Sequence, residues 1–133
     1  MRSSQEQSVP ENTNVILLDE MGKLNDAYAV GAFAFVGGSI ADKGGHNALE
    51  PASFSIPIMM GPNTYNNPVI CSHLEECGAL VKIDSGEEMF TIVDKWICEP
   101  NERKKAGQAG RKVLEDNSGA LESTVQCIRK YVN

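Results

Sequence analysis

Residues 57–83 read PIMMGPNTYNNPVICSHLEECGALVKI, and this stretch decides the fold class. It begins with a short apolar run, Pro57–Met60, which is typical of a buried strand. Asn67-Pro68 then supplies a helix N-cap and a first helical residue, and Gly78 ends the helix. A second apolar run, Ala79–Ile83, follows. Strand, helix and strand in this order predict two parallel strands joined by a right-handed crossover.

The same alternation continues on both sides of this unit. We expect further buried strands at Asn14–Leu18 and Ala32–Val36, because their apolar residues are continuous rather than alternating. Predicted helices cover residues 23–30, 46–54, 87–98 and the C-terminal stretch from Pro100, with an interruption at Asn117-Ser118-Gly119. The sequence therefore predicts a parallel α/β sheet within residues 14–133. Residues 1–13 are expected to form a polar tail or a truncated element.

The composition is that of a globular domain. The 133 residues are 41% hydrophobic and 23% charged, which is close to the average for folded domains. The net charge of −6 argues against nucleic acid or an anionic membrane surface as the main partner of this chain. The apolar runs are much shorter than the roughly 18 residues that a membrane span needs, and the N-terminus lacks the pattern of a signal peptide.

The cysteines do not predict a metal site. Cys71, Cys77, Cys98 and Cys127 form no CxxC pair, and the chain has only two histidines. A zinc site has little support from such spacing. We expect the cysteines to be small buried hydrophobic residues. The absence of a metal and of a cofactor is an expectation that follows from the family resemblance given below.

Three strand ends carry turns that suit a ligand. The turns are Asp19-Glu20-Met21-Gly22, Gly37-Gly38-Ser39 and Gly61-Pro62-Asn63-Thr64. Ligands of open α/β sheets bind outside the carboxyl ends of the strands, and glycines there allow a close approach of the backbone. Such turns also need glycine for purely structural reasons. Since all three would line one crevice, we expect a binding site at this edge.

The segment Gly44-Gly45-His46-Asn47-Ala48-Leu49-Glu50-Pro51 is the most informative one. Two glycines before a helix start predict free backbone N–H groups that face an anion. His46 either binds a phosphate or packs over the loop. Asn47 and Glu50 fit an N-cap with its box partner, while Glu50 alternatively accepts hydrogen bonds from a ribose. The segment is neither GxGxxG nor a P-loop, so a dinucleotide or a P-loop triphosphate is not indicated.

No catalytic constellation is visible in the sequence. His73 is expected on a helix surface, and Ser39 lacks the GxSxG context of a nucleophile. The carboxylates include a possible base, but the sequence places no pair of them together. From the residues alone, the chain is an α/β domain with an edge that binds an anion or a nucleotide.

Four motifs then resemble one family. They are Asp19-Glu20-Met21-Gly22-Lys23-Leu24, Phe33-Ala34-Phe35-Val36-Gly37-Gly38-Ser39, the segment 44–52, and Met60-Gly61-Pro62-Asn63-Thr64-Tyr65-Asn66. In this order they resemble the C-terminal part of the 3-deoxy-D-manno-octulosonic acid (Kdo) transferases of Gram-negative bacteria. The resemblance implies a Rossmann-like parallel sheet with flanking helices, the C-terminal half of a GT-B glycosyltransferase. It also implies that residues 14–133 are part of a domain that binds a CMP-sugar donor.

The resemblance implies a set of donor-binding residues and no catalytic or metal-binding residue. Met21 and Gly22 would lie near the cytidine, and Glu50 would meet the ribose. The other implied positions line the cleft or meet the phosphate and sugar; they are Gly38, Ser39, Gly44, Gly45, His46, Asn47 and Asn66. The sequence departs from the family pattern at Ala48, where proline is usual, and at Asn67, where phenylalanine is usual.

The implied reaction moves Kdo from CMP-Kdo to a lipid A precursor, in lipopolysaccharide biosynthesis, with inversion and without a metal in the active site. The family's N-terminal domain holds the acceptor, the catalytic carboxylate and the membrane-binding surface. We expect this chain to be a soluble fragment, inactive alone, of a protein at the cytoplasmic face of the inner membrane. Two other readings remain: a GT-B domain that uses a UDP-sugar, and a nucleotide-binding domain without catalysis.

Overall fold

Three short parallel strands form the centre of the chain. The computed structural model describes residues 1–5 and 8–129; within helix α5, the side chains of residues 118–127 and 129 lie outside the description. The strands are β1 (Ala34–Phe35), β2 (Ile58–Met60) and β3 (Leu80–Lys82), and the helices are α1 (Leu24–Val30), α2 (Leu49–Ser53), α3 (Pro68–Glu76), α4 (Gly86–Cys98) and α5 (Pro100–Arg129).

The sheet has the order β1-β2-β3, and both pairs of strands are parallel. In the register, Ala34 lies opposite Ile58, and Ile58 lies opposite Leu80. All three residues of the central strand β2 are buried, so both faces of the sheet are covered at this strand. The predicted parallel α/β fold with flanking helices is confirmed, and the crossover predicted between residues 57 and 83 is α3.

The helices cover the sheet with two apolar clusters. The larger cluster joins Ile58 and Met60 of β2 to Leu74 of α3, and Val113 and Leu114 of α5 pack against it. The smaller cluster joins Met59 and Ile83 to Trp96 of α4, whose ring lies 5.9 Å from the ring of Phe33. Burial of these side chains is the main stabilising contribution to the fold.

The helix starts follow local sequence signals. Pro68 is the first residue of α3, as predicted, although the side chain of Asn67 caps no backbone N–H. Helix α4 is capped by Ser85, whose Oγ accepts from the N–H of Glu88 at 3.2 Å, and Glu88 Oε2 accepts from the N–H of Asp84, just before the cap, at 2.8 Å. Helix α2 begins at Leu49 rather than at the predicted His46.

The prediction of a buried strand at Asn14–Leu18 is wrong. Val15 is 74% exposed, and Leu17 forms only an isolated parallel bridge with Arg2. Residues 1–3 pair with the run, but all four of its apolar side chains stay at least 39% exposed, so its continuous pattern does not lead to burial. The first residues are nevertheless ordered against this segment, because the carboxylate of Asp19 accepts hydrogen bonds from Ser3 and Ser4.

Two further expectations are corrected. Helix α5 runs through Asn117-Ser118-Gly119 without the predicted interruption. The side chain of Asn117 donates to the carbonyl oxygen of Val113, one helical turn earlier. Cys71 is buried as expected, and burial raises the pKa of its thiol, but Cys77 and Cys98 are exposed. The side chain of Cys127 lies outside the described residues. Among the helices that are described, none combines the length and the apolar character that crossing a bilayer requires.

Candidate functional site

The turns after β1 and β2 are joined by one buried hydroxyl. Ser39 is 0% exposed, and its Oγ donates to the oxygen of Val36 at 2.7 Å. The same Oγ accepts from the backbone N–H of Gly61 at 2.8 Å. The carboxyl ends of the two strands are therefore held together at the edge where the sequence predicts a crevice.

Ser39→Ala is expected to lower the free energy of unfolding by about 1–3 kcal/mol, because it leaves the buried N–H of Gly61 without an acceptor. Urea denaturation followed by circular dichroism measures this change. Ser72→Ala is the matched control, since Ser72 is exposed and bonds only the exposed Glu76, at 3.2 Å. Equal stability of the two variants would contradict the bridging role of Ser39.

Residues 37–46 form the Gly-rich loop, which folds back on itself beside β1. Gly38, Gly44 and Gly45 have φ angles of 74°, 78° and 73°, a region that favours glycine. The N–H of Gly45 donates to the oxygen of Gly38, and the N–H of His46 donates to the oxygen of Gly37, both at 3.0 Å. The loop is thereby closed by two backbone hydrogen bonds.

This closure corrects one expectation about anion binding. The amides of Gly45 and His46 are not free to face an anion, because both donate within the loop. The amides of the next two residues, Asn47 and Ala48, have no acceptor in the part of the chain that the structure describes. The donors available for an anion thus lie two residues later than the sequence predicts.

The start of α2 is organised by Asn47. Its Oδ1 accepts from the N–H of Leu49 at 3.0 Å, and its Nδ2 donates to Glu50 Oε1 at 3.3 Å. The N-cap position is Ala48 rather than the predicted Asn47, so Asn47 acts one residue before the observed cap and closes no capping box. Glu50 is partly buried, and one of its two oxygens is bonded to Asn47.

A cleft of about 330 Å³, here called the β1 cleft, lies between β1, α1 and the start of α2. One wall is polar and the other is apolar. The lining residues are Leu24, Tyr28, Phe35, Val36, Gly37, His46, Asn47 and Glu50. Burial, together with the negative charge of Glu50, raises the pKa of Tyr28 above its ordinary value. The cleft therefore offers a carboxylate, an imidazole and an aromatic surface to one ligand.

The structure brings together most of the predicted site residues, but not all of them. His46, Asn47 and Glu50 line the β1 cleft, while Gly38, Gly44, Gly45 and Ser39 form the loop behind it. A Cβ on Gly38 would lie 3.2 Å from Cδ2 of His46, so the imidazole packs over this glycine. Met21 is 100% exposed, and neither Met21 nor Gly22 lines the cleft.

Sequence reasoning missed the apolar wall of the cleft. Leu24 and Tyr28 share a face of α1 and line the cleft, and no residue of α1 is buried. Phe35 lies in β1 but is 40% exposed, while its neighbours Ala34 and Val36 are buried. Successive side chains of a strand point to opposite faces, which would have predicted the exposure of Phe35. The continuous apolar run in the sequence hides this alternation.

A second cavity, of about 590 Å³, lies apart from the β1 cleft and shares none of its lining residues. Its walls come from α2, α3 and α5 and include Leu49, Asn66, Asn67, Val69, His73 and Leu114. It is larger than the β1 cleft but contains no carboxylate, lysine or arginine among its lining residues. His73 is exposed, as predicted. Of the two sites, the β1 cleft is the one that offers a carboxylate, Glu50, to accept hydrogen bonds from the hydroxyls of a ribose.

The described residues contain no cluster of three or more histidine, cysteine, aspartate or glutamate side chains that could hold a metal ion. Asp42 accepts a hydrogen bond from the exposed Tyr65, and this bond raises the pKa of the phenol. The carboxylate of the β1 cleft, Glu50, stands without a second carboxylate among the cleft's lining residues.

Proteins with similar sequences are 3-deoxy-D-manno-octulosonic acid transferases. The transferase of Haemophilus influenzae is 36% identical over 133 residues, which are 99% of this chain and 31% of that protein. The transferase of Aquifex aeolicus is 36% identical over 91 residues, which are 68% of this chain and 26% of that protein. The chain spans about a third or less of the length of these curated relatives.

A solved structure has a similar fold. The crystal structure of the C-terminal CMP-Kdo binding domain of WaaA from Acinetobacter baumannii matches with a TM-score of 0.79 and 32% sequence identity. The match covers 86% of this chain and 60% of that chain. No family model matches the sequence. The resemblance to the C-terminal part of Kdo transferases, stated above from four motifs, is confirmed by these comparisons.

Proposed function

We propose that this chain is the donor-binding portion of a Kdo transferase, a GT-B glycosyltransferase, and that the β1 cleft binds CMP-Kdo. The observation that carries the proposal is the match over 86% of the chain to a CMP-Kdo binding domain at 32% identity. The β1 cleft agrees with it chemically, since it combines hydrogen-bonding groups with an apolar wall, as a nucleotide sugar requires.

The donor is proposed to lie across the start of α2. The amides of Asn47 and Ala48 and the side chain of His46 donate to the phosphate. The free oxygen of Glu50 accepts from the ribose, while Asn47 holds the other oxygen at 3.3 Å. The two roles predicted for Glu50, a local bond to Asn47 and a bond to the ribose, are therefore compatible, because the bond to Asn47 orients the carboxylate. Met21 and Gly22 lie outside the cleft, before α1, and the contact with the cytidine that the family resemblance implies for them requires the base to extend past the lining residue Leu24.

In the transfer reaction, the phosphate becomes the leaving group and gains negative charge. N–H donors fixed in advance stabilise this charge without rearranging during the reaction. Such donors are the amides of Asn47 and Ala48, which directly follow a loop that is closed by its own backbone hydrogen bonds. We propose that no metal takes part, and that these donors neutralise the leaving CMP instead.

The acceptor is proposed to be a lipid A precursor, and the parent enzyme is proposed to act at the cytoplasmic face of the inner membrane. The base that activates the acceptor hydroxyl would be supplied by the part of the curated relatives that this chain does not span. The 133-residue chain is therefore expected to bind the donor nucleotide without turning it over.

Binding of CMP and UMP to the 133-residue chain, measured by calorimetry, tests the proposal. CMP is expected to bind more tightly than UMP. Glu50→Gln is expected to weaken CMP binding about 10- to 100-fold, since a hydrogen bond to a charged group contributes about 1.5–3 kcal/mol. Glu102→Gln, an exposed change in α5, is the matched control and should leave the affinity unchanged.

The other outcomes point to different functions. Equal affinities for CMP and UMP would replace the proposal with a GT-B domain that uses a UDP-sugar. An affinity that Glu50→Gln does not change would contradict the β1 cleft as the site. Absence of binding to either nucleotide would overturn the proposal of a donor site on this chain.

A further inference from the structure

Asn66 binds the carbonyl oxygens of three consecutive residues of the Gly-rich loop. Its Nδ2 donates to the oxygen of Lys43 at 2.9 Å and to the oxygen of Gly45 at 3.1 Å. Its backbone N–H donates to the oxygen of Gly44 at 3.0 Å. All three hydrogens that Asn66 can donate are thus used inside the protein.

These bonds hold two peptide units of the loop at both ends. The unit between Gly44 and Gly45 is bound by Asn66 at its carbonyl and by the oxygen of Gly38 at its N–H. The unit between Gly45 and His46 is bound by Asn66 at its carbonyl and by the oxygen of Gly37 at its N–H. Because a trans peptide is planar, with its two polar groups on opposite sides, four bonds fix the rotation of both units.

Asn66 does not reach the cleft itself. It is absent from the lining of the β1 cleft and instead lines the second cavity. Its neighbour Asn63 adds to the same connection, since its N–H donates to the oxygen of Ser39 at 3.0 Å and its Nδ2 donates to the oxygen of Ile40 at 3.2 Å. The turn after β2 therefore holds the Gly-rich loop through hydrogen bonds to its backbone carbonyl groups.

We propose that Asn66 is a positioning residue for donor binding, which holds the Gly-rich loop in its binding shape before the donor arrives. The inference rests on the proposed function, but it assigns Asn66 a role different from the direct contact that the family resemblance implies. Since the loop is already ordered, binding the donor requires little loss of conformational freedom, and affinity is higher for that reason. The fixed peptide units directly precede His46, Asn47 and Ala48, and they therefore set the orientation of these three residues.

Asn66→Asp tests this role, because it keeps the size and shape of the side chain. The change replaces an NH₂ group that donates to two carbonyl oxygens by a charged oxygen that repels them. Asn67→Asp is the matched control: it is the same substitution one residue later, and the side chain of Asn67 caps no backbone N–H. Aspartate is a good N-cap, so helix α3 keeps its start in the control variant.

Two quantities are measured on each variant of the 133-residue chain. The first is the affinity for CMP, which Asn66→Asp is expected to lower at least tenfold and Asn67→Asp to leave unchanged. The second is amide hydrogen exchange without nucleotide, followed by NMR. Exchange at Gly45 and His46 is expected to become at least tenfold faster in Asn66→Asp, while amides of β2 and α3 keep their wild-type rates.

The outcomes separate this inference from the proposed function. If Asn66→Asp binds CMP as the wild type does, the positioning role is wrong. If it binds weakly while exchange at Gly45 and His46 is unchanged, Asn66 contacts the ligand directly, and the inference is again overturned. If the wild type itself does not bind CMP, the proposed function fails; unchanged exchange in Asn66→Asp would then overturn the loop's dependence on Asn66, and faster exchange would support it.

Discussion

Gly61→Ala is expected to lower the free energy of unfolding by about 3 kcal/mol or more and to abolish measurable CMP binding. A Cβ at Gly61 would collide with the backbone of Ser39 and Ile40, which cannot move aside as the end of a flexible side chain would. Overpacking of this kind typically costs about 1–3 kcal/mol. The hydrogen bond from Gly61 to Ser39 Oγ would be lost in addition, at about 1–3 kcal/mol.

Gly37→Ala is the control for stability at the same edge of the sheet. A Cβ at Gly37 would lie 4.0 Å from His46 Cδ2, which is an ordinary contact, and its φ angle is not positive. Its unfolding free energy is expected to stay within about 1 kcal/mol of the wild type. Urea denaturation compares the two variants. Similar stability of both would show that the contact between the two turns does not hold the site together.

Gly107→Ala is expected to lower the free energy of unfolding by about 2–3 kcal/mol. Gly107 is buried in α5, where a Cβ would overlap the carbonyl of Ser55 and lie 3.1 Å from the Cα of Ile56. In an unhindered helix interior the same change stabilises by about 1 kcal/mol, since glycine is a poor helix former. The expected sign is therefore opposite to that of helix propensity.

Gly86→Ala in α4 provides the contrast, because a Cβ there meets nothing within 4 Å. It is expected to leave the stability unchanged or to increase it by up to about 1 kcal/mol. Thermal and urea unfolding of both variants measure the difference. If Gly107→Ala also stabilises, α5 does not pack closely against the segment between α2 and β2, and the described fold is wrong at that contact.

The parallel sheet could be predicted because its signals are local. The apolar runs at 57–60 and 79–83, with Pro68 at the helix start and Gly78 after it, fix one crossover without knowledge of the rest. Burial of Val15–Leu18 could not be predicted, because an apolar run shows only that a segment can be buried. Whether it is buried depends on the neighbouring chain, and the pairing with residues 1–3 leaves Val15–Leu18 exposed.

The site could be predicted as a region but not as a set of contacts. From residue type and spacing alone, Gly44 and Gly45 predict the loop, and His46 and Asn47 predict the cleft. The partners of individual amides could not be read from the sequence, because they depend on Gly37 and Gly38 folding back over the loop. For the same reason the sequence predicts ligand contacts for Ser39 and Asn66, whereas in the structure both bond to backbone more than 20 residues away.

Mapping the CMP site by amide NMR shifts tests the central claim most directly. The spectrum of the 133-residue chain is followed as CMP is added, with UMP as the control nucleotide. Shifts concentrated at Gly37, His46, Asn47 and Glu50, with saturation at lower concentrations of CMP than of UMP, are the predicted result. Shifts concentrated at Val69, Ile70 and His73 around the second cavity, or no shifts at all, would contradict a donor site in the β1 cleft.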